Sequence, residues 1–309
     1  MKLLRATFLS IRGLPDATFD FGDPHRGVPH DVVVITGPPA SGKTRVLEAL
    51  LAAKDVIAPY GPMINGAPWI TGGSSSAKIE LAFVLDADEQ KRAGVTEPVV
   101  SAEALFSPRL CRGEADEGLI ALLQSYEHTP RSGKVEYFPA NRAILSSGPM
   151  HGLSAIEQRT LRTTRDPRKY SFLPRLLFAL TWDGAYAEAR DRFEAAVASL
   201  SPTVRYMGPN PADPSVCFTS GGGPRMAPSE LSGSESAAVL IAATATLVRF
   251  ERSLVLLDRP ESSVDEGAIV PWLQAVRALA GDLQLIVASS SPALLAAVDP
   301  QAVVTLHAR

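Results

Sequence analysis

ITGPPASGKT, residues 35–44, decides how the chain is read. Val32, Val33 and Val34 precede it, and RVLEALLAA follows it. A continuous apolar run before a glycine-rich turn is a strand covered on both faces, and the apolar spacing after the turn is helical. Gly37 through Thr44 fits G-x-x-x-x-G-K-[ST] in the strand-turn-helix setting where that pattern cradles phosphate. Pro38 and Pro39 lack an N–H, so the amides facing a phosphate are expected from Ala40, Ser41, Gly42, Lys43, Thr44 and Arg45. The Lys43 ammonium is expected on the β- and γ-phosphates and the Thr44 hydroxyl on Mg2+, with the helix N-terminus adding a favourable partial charge. The implied ligands are ATP and Mg2+.

Working outward, 309 residues with 46% hydrophobic content can bury the core of one large α/β domain. A net charge of −3 gives no global positive field of the kind that marks a nucleic-acid binder. A local basic face is still available: Arg159, Arg162, Arg165, Arg168 and Lys169 cluster, the first three at i, i+3, i+6. Such a face either grips phosphates of DNA or an acidic partner, or is simply solvated. Cys111 and Cys217 lack metal-ligand spacing and fit free thiols in a reducing compartment. His25, His30, His128, His151 and His307 are scattered and take no role. MKLLRATFLSIRGL alternates as a strand does, unlike a signal peptide. The longest apolar run, LIAATATLV at 240–248, is well short of the ~18 residues of a membrane span. A cytoplasmic protein with no membrane partner is expected.

Residues 2–11 and 17–21 read as an antiparallel pair, and AKIELAFVLDAD as another strand of a side sheet. Residues 115–127 read as helix, KVEYFPANR as strand then loop, and 171–199 as helical around Leu176, Leu177, Leu180, Tyr186 and Phe193. From 231 the pattern becomes regular: helix 234–250, strand SLVLLD, helix 267–280, strand LQLIVAS, helix 292–298 and strand AVVTL. That alternation implies a parallel sheet. The expected organisation is a single domain with a nucleotide-binding core from 1–60 and 231–309, interrupted at 77–230 by a side sheet and a helical lobe.

Leu231-Ser232-Gly233-Ser234-Glu235 opens the helix that precedes the apolar strand Leu254-Val255-Leu256-Leu257-Asp258. Alone, LSGSE also reads as a serine N-cap with an acidic first turn. With the phosphate loop before it and Asp258 after it, the ordered set resembles the ABC-type ATPases, specifically their RecF/SMC/OLD-like branch. The N-terminal FLSIRGLPDATFDF and the later QLIVASSSPALL extend the resemblance over most of the chain. The resemblance implies a P-loop NTPase of ABC head type: a parallel core sheet, an N-terminal antiparallel side sheet and a helical lobe. It implies that Ser232, with the Gly233 and Ser234 amides and Glu235, caps the triphosphate held by a second copy, in a head-to-tail homodimer enclosing two ATPs. Asp258 would hold Mg2+ through water, Asp265 would cross the interface, and Arg142 of FPANR would lie near the nucleotide or the interface.

Two hydrolytic positions depart from the family pattern. The residue after Asp258, glutamate in the relatives and the base that activates water, is Arg259, and a guanidinium cannot accept a proton. Ser290 replaces the histidine that polarises the γ-phosphate. Glu261 matches the second glutamate of the relatives' DEPE and is the candidate substitute base. The Q-loop glutamine is not placed, with Gln124 as the one candidate. The first expectation is an ATP-switched dimer with weak or absent hydrolysis. Its effector would be a separate protein, since no long heptad arm or nuclease-type segment is visible, and DNA repair or antiphage defence is the context by fold analogy. The alternatives are a working ATPase using Glu261 or a partner's residue, and a transporter's nucleotide-binding subunit.

Overall fold

A computed structural model describes residues 1–23, 26–125, 135–144, 159–209 and 216–307. His25, His128, His151, and the last residues of the helix expected at 115–127 lie outside the described residues. In chain order the elements are β1 (Lys2–Leu9), β2 (Ala17–Asp20), β3 (Val32–Thr36), α1 (Lys43–Ile57), β4 (Ala77–Val84), α2 (Ala87–Ala93), β5 (Val99–Phe106), β6 (Arg112–Ala115), α3 (Glu117–Leu123) and β7 (Val135–Phe138). There follow α4 (Leu173–Trp182), α5 (Ala187–Leu200), β8 (Val204–Pro209), β9 (Val216–Ser220), α6 (Gly233–Val248), β10 (Leu254–Asp258), α7 (Ile269–Arg277), β11 (Gln284–Ala288), α8 (Pro292–Ala297) and β12 (Val303–Thr305).

Among the described residues, two five-stranded sheets organise the fold. One is antiparallel in the order β2-β1-β4-β5-β6, the other parallel in the order β12-β3-β11-β10-β7. α1 is buried between them: Val46, Leu47, Leu50 and Val56 join one core with Phe8, Ile79, Phe83 and Phe106 of the antiparallel sheet. The period of two sorts each parallel strand between two cores. Leu254 and Leu256 of β10 face α1, while Val255 and Leu257 pack with Leu177, Phe193, Val239 and Ile241 of the helical lobe. The Gln284 carboxamide joins the sheets, accepting from the Leu3 amide at 2.6 Å and donating to the Leu3 and His30 carbonyls at 2.9 and 3.0 Å. This is the α/β architecture expected from the sequence, with its parallel core sheet, side sheet and helical lobe.

Boundaries inside it differ from the sequence reading. β7 is assigned from sequence to the inserted segment, yet it pairs in parallel with β10, Tyr137 opposite Leu256, and is an edge strand of the core sheet. Its four residues are all buried, Glu136 among them. Conversely, β1 and β2 belong to the side sheet, so core and insert interleave along the chain. The helix expected through 171–199 breaks at Asp183-Gly184, where the Asp183 carboxylate accepts from the Ala185 amide at 2.9 Å; Tyr186 is exposed and not a core residue.

The basic cluster is not a free basic face. Arg162 Nε meets Glu136 Oε2 at 2.6 Å in the interior, and the buried Lys169 ammonium donates to the carbonyls of Tyr137 and Arg162. Arg168 pairs with Asp166 and Arg165 with Glu48. A carboxylate buried in a sheet needs compensating cations, and this cluster supplies them.

Burial also pushes two lysines down, Lys54 to about 7 and Lys169 to about 8. Lys54 lies over the Tyr60 ring beside Asp55. Between about 7 and its ordinary 10.5 the folded chain has shed a proton that the unfolded chain still holds. Unfolding therefore takes up a proton in that window, and stability rises with pH through it. Thermal melts at pH 7 and pH 9 should show wild type gaining on Lys54→Met, by up to about 1.4 kcal/mol per pH unit. An unchanged difference would mean that Lys54 keeps its proton.

Candidate nucleotide site

The turn between β3 and α1 is built for close approach. Gly42, φ 100°, precedes α1, and a Cβ there would meet the Gly13 carbonyl at 2.9 Å; one on Gly37 would meet the Leu306 carbonyl at 2.4 Å. Ala40 also takes a left-handed φ of 62°. No side chain caps α1, and the first of its amides to find a backbone acceptor is that of Val46, on the Gly42 carbonyl at 3.0 Å. Among the described residues, the amides of Lys43, Thr44 and Arg45 have no backbone acceptor, which leaves a helix N-terminus open to an anion. The Ser41 amide, expected toward phosphate, reaches back to the Pro38 carbonyl at 3.2 Å.

Lys43 bends over the loop, Nζ donating to the Gly37 and Pro38 carbonyls at 2.7 and 3.0 Å. Thr44 Oγ1 donates to Asp258 Oδ1 at 2.9 Å across 214 positions of sequence. Burial raises the Asp258 carboxyl above its ordinary value; the Thr44 hydroxyl and then Arg165, Arg142 and Arg259 oppose that rise. A hydroxyl and a poorly solvated carboxylate at this distance fit a magnesium ion, hard and oxygen-seeking. Among the described residues the buried Ser41 hydroxyl has no hydrogen-bond partner, another oxygen beside the loop. These residues fit Mg2+ and a triphosphate.

A cleft of about 440 Å³ opens over the turn, lined by residues 39–45, Glu48, Arg165, Arg259 and Ser290. Arg45 contributes its amide end, since its guanidinium is held away by the Arg12 and Pro68 carbonyls at 2.9 and 3.0 Å and over the Trp69 ring. Arg259 adopts a left-handed φ of 47°, unusual for a non-glycine residue. Buried Arg142 fixes that kink: its guanidinium donates to the Asp258 and Arg259 carbonyls at 2.8 and 3.3 Å and to Ser263 Oγ at 2.8 Å. The structure thus places Arg142 under the end of β10, bonded to the chain itself, where the sequence suggested a nucleotide or interface contact. Glu261 does not line the cleft. Its two oxygens accept from Ser289 Oγ at 2.8 Å and the Ser290 amide at 2.9 Å, so it pins the loop after β11.

LSGSE stands elsewhere. Ser232 caps α6 and Glu235 completes a capping box, its carboxylate accepting from the Ser232 amide at 2.9 Å and from Ser220 Oγ. Ser232, Gly233 and Ser234 are exposed and do not line the cleft of their own chain. Asp265 is exposed as well. Gln124 ends α3 and does not line the cleft, so no Q-loop is placed. Sequence reasoning missed Glu48 and the cleft position of Arg165. Glu48 was within reach, lying one helical turn after Thr44 and so on the same face; Arg165 carries no such signal.

Among the described residues there is no group of acidic, histidine or cysteine side chains arranged for a metal, and no helix long and apolar enough to cross a membrane. Cys111 and Cys217 are free and buried.

Neither a protein-family model nor a curated protein matches the sequence. Solved structures do. An Smc head bound to the C-terminal winged-helix domain of ScpA is similar with TM-score 0.58 at 14% identity, covering 97% of this chain and 92% of that one. The SMC head domain from Thermotoga maritima gives TM-score 0.52 at 15% identity over 97% and 93%. An Smc head with an extended coiled coil, bound to the C-terminal domain of ScpA derived from Pyrococcus furiosus, gives 0.57 at 14% over 96% and 92%. The fold is that of an SMC head domain.

Proposed function

We propose that the chain binds Mg·ATP at the cleft and closes head to tail with a second copy, whose LSGSE helix caps the γ-phosphate. The Thr44–Asp258 pair beneath an uncapped helix N-terminus carries the binding half of this reading. Exposure of Ser232, Gly233 and Ser234 away from the cleft of their own chain supports the closure half, because a signature that cannot reach its own phosphate loop has to act on another. Asp265, in the exposed stretch 265–268, joins that interface. The output is conformational and is passed to a separate effector protein. Two of the similar SMC heads are bound to ScpA, which supports a partner as the mode of action, and DNA repair or antiphage defence is the proposed setting.

Hydrolysis is slow or absent in this reading. Arg259 presents a cation where a base is needed. Glu48, the carboxylate on the cleft lining, is paired with Arg165 at 2.7 Å and Arg45 at 3.8 Å. Glu261 is bonded to Ser289 and the Ser290 amide. Phosphate release by purified wild type should be near background, and Arg259→Glu should raise it by about a hundredfold, the lower end of what a positioned general base contributes. Brisk wild-type turnover abolished by Glu261→Gln would instead establish the working-ATPase alternative.

A further inference from the structure

The cleft holds more positive charge than a phosphate loop needs, and its second guanidinium comes from an unexpected place. Arg165 follows the short helical residues 159–161 and is anchored at its backbone, where its carbonyl accepts from Asn141 Nδ2 at 3.3 Å. Its neighbours in sequence are locked to the core by the buried Arg162–Glu136 pair and by Lys169. The side chain itself is half-exposed and turned into the cleft, Nε on Glu48 Oε1 at 2.7 Å. Its main chain is thus fixed and its guanidinium exchangeable. Glu48 lies one turn beyond Thr44 on the face of α1 that carries the metal-binding hydroxyl, so Arg165 stands on the Thr44–Asp258 side of the loop. In a P-loop site that side is where the terminal phosphate lies.

We propose that Arg165 is a triphosphate-specificity residue: on binding Mg·ATP its guanidinium leaves Glu48 and takes the γ-phosphate of the nucleotide held by its own chain. The inference rests on the cleft being an ATP site. A guanidinium forms bidentate, charge-assisted bonds to phosphate, which repay the loss of a half-exposed ion pair. The exchange favours ATP over ADP, since ADP has no terminal group to receive it.

The test is titration of the full chain with Mg2+ and either of two fluorescent nucleotides, mant-AMPPNP or mant-ADP. Arg165→Ala should weaken mant-AMPPNP by about tenfold or more while changing mant-ADP by less than about twofold, one charged hydrogen-bonding group being lost from one complex only. Arg165→Lys, which keeps the charge without the planar fork, should fall between. Equal losses for both nucleotides, or none for either, would overturn the proposal, with far-ultraviolet circular dichroism confirming that the variants are folded. Wild type that binds neither nucleotide, or a Lys43→Ala variant that binds both normally, would instead overturn the ATP site on which the proposal rests.

Discussion

Replacing Lys43 by alanine should lower the affinity for Mg·ATP by about a hundredfold or more, the loss of two charge-assisted bonds of roughly 1.5–3 kcal/mol each. The structure holds that ammonium ready: two of its three donors rest on the Gly37 and Pro38 carbonyls, at the lip of the open α1 N-terminus. The fold should not suffer, because those bonds lie within the loop and Lys43 is not part of the hydrophobic core. Titration with mant-ATP reads the affinity, and thermal melting reads the fold. If Lys43→Ala binds as wild type does, the phosphate loop is only a tight strand-to-helix turn.

The second large effect separates closure from binding. Ser232→Arg should retain wild-type ATP affinity, since Ser232 is exposed and outside the cleft of its own chain. It should weaken nucleotide-dependent dimerisation by about a hundredfold or more, because a bulky cation driven into a packed, charged interface costs several kcal/mol. The lost serine cap costs only about 1 kcal/mol. Glu235 still accepts from the amide at position 232, so α6 keeps part of its N-terminal box. Sedimentation velocity with Mg·AMPPNP should show wild type at twice 32.8 kDa and the variant as a monomer. A variant that dimerises normally would remove LSGSE from the interface.

Much of this was legible in the sequence because its signals are local. The Val32–Val34 run, the glycine turn and the α1 pattern name a strand, a loop and a helix within thirty residues, and the structure has them at Val32–Thr36 and Lys43–Ile57. The alternation after 231 likewise gives β10, β11 and β12 with their helices. β7 was assigned to the inserted segment 77–230; its centre is Glu136, and a charged residue argues against a buried strand until Arg162 and Lys169 are seen to neutralise it. For the same reason the basic cluster misled: periodicity places arginines on a face but does not say which carboxylate lies beneath it. Arg142 was read as a nucleotide or interface contact and Glu261 as a substitute base. Their bonds to main-chain atoms at 258–259 and 290 are decided by a turn geometry that spacing does not encode.

The most direct test of the central claim is complementation between Lys43→Ala and Ser232→Arg. Neither variant should close with itself. Mixed, they can form one complete site, from the intact phosphate loop of the Ser232→Arg chain and the intact signature of the Lys43→Ala chain. Sedimentation of the equimolar mixture with Mg·AMPPNP should show a dimer holding one nucleotide, where each variant alone stays monomeric. A mixture that remains monomeric while wild type dimerises would contradict the shared, head-to-tail site.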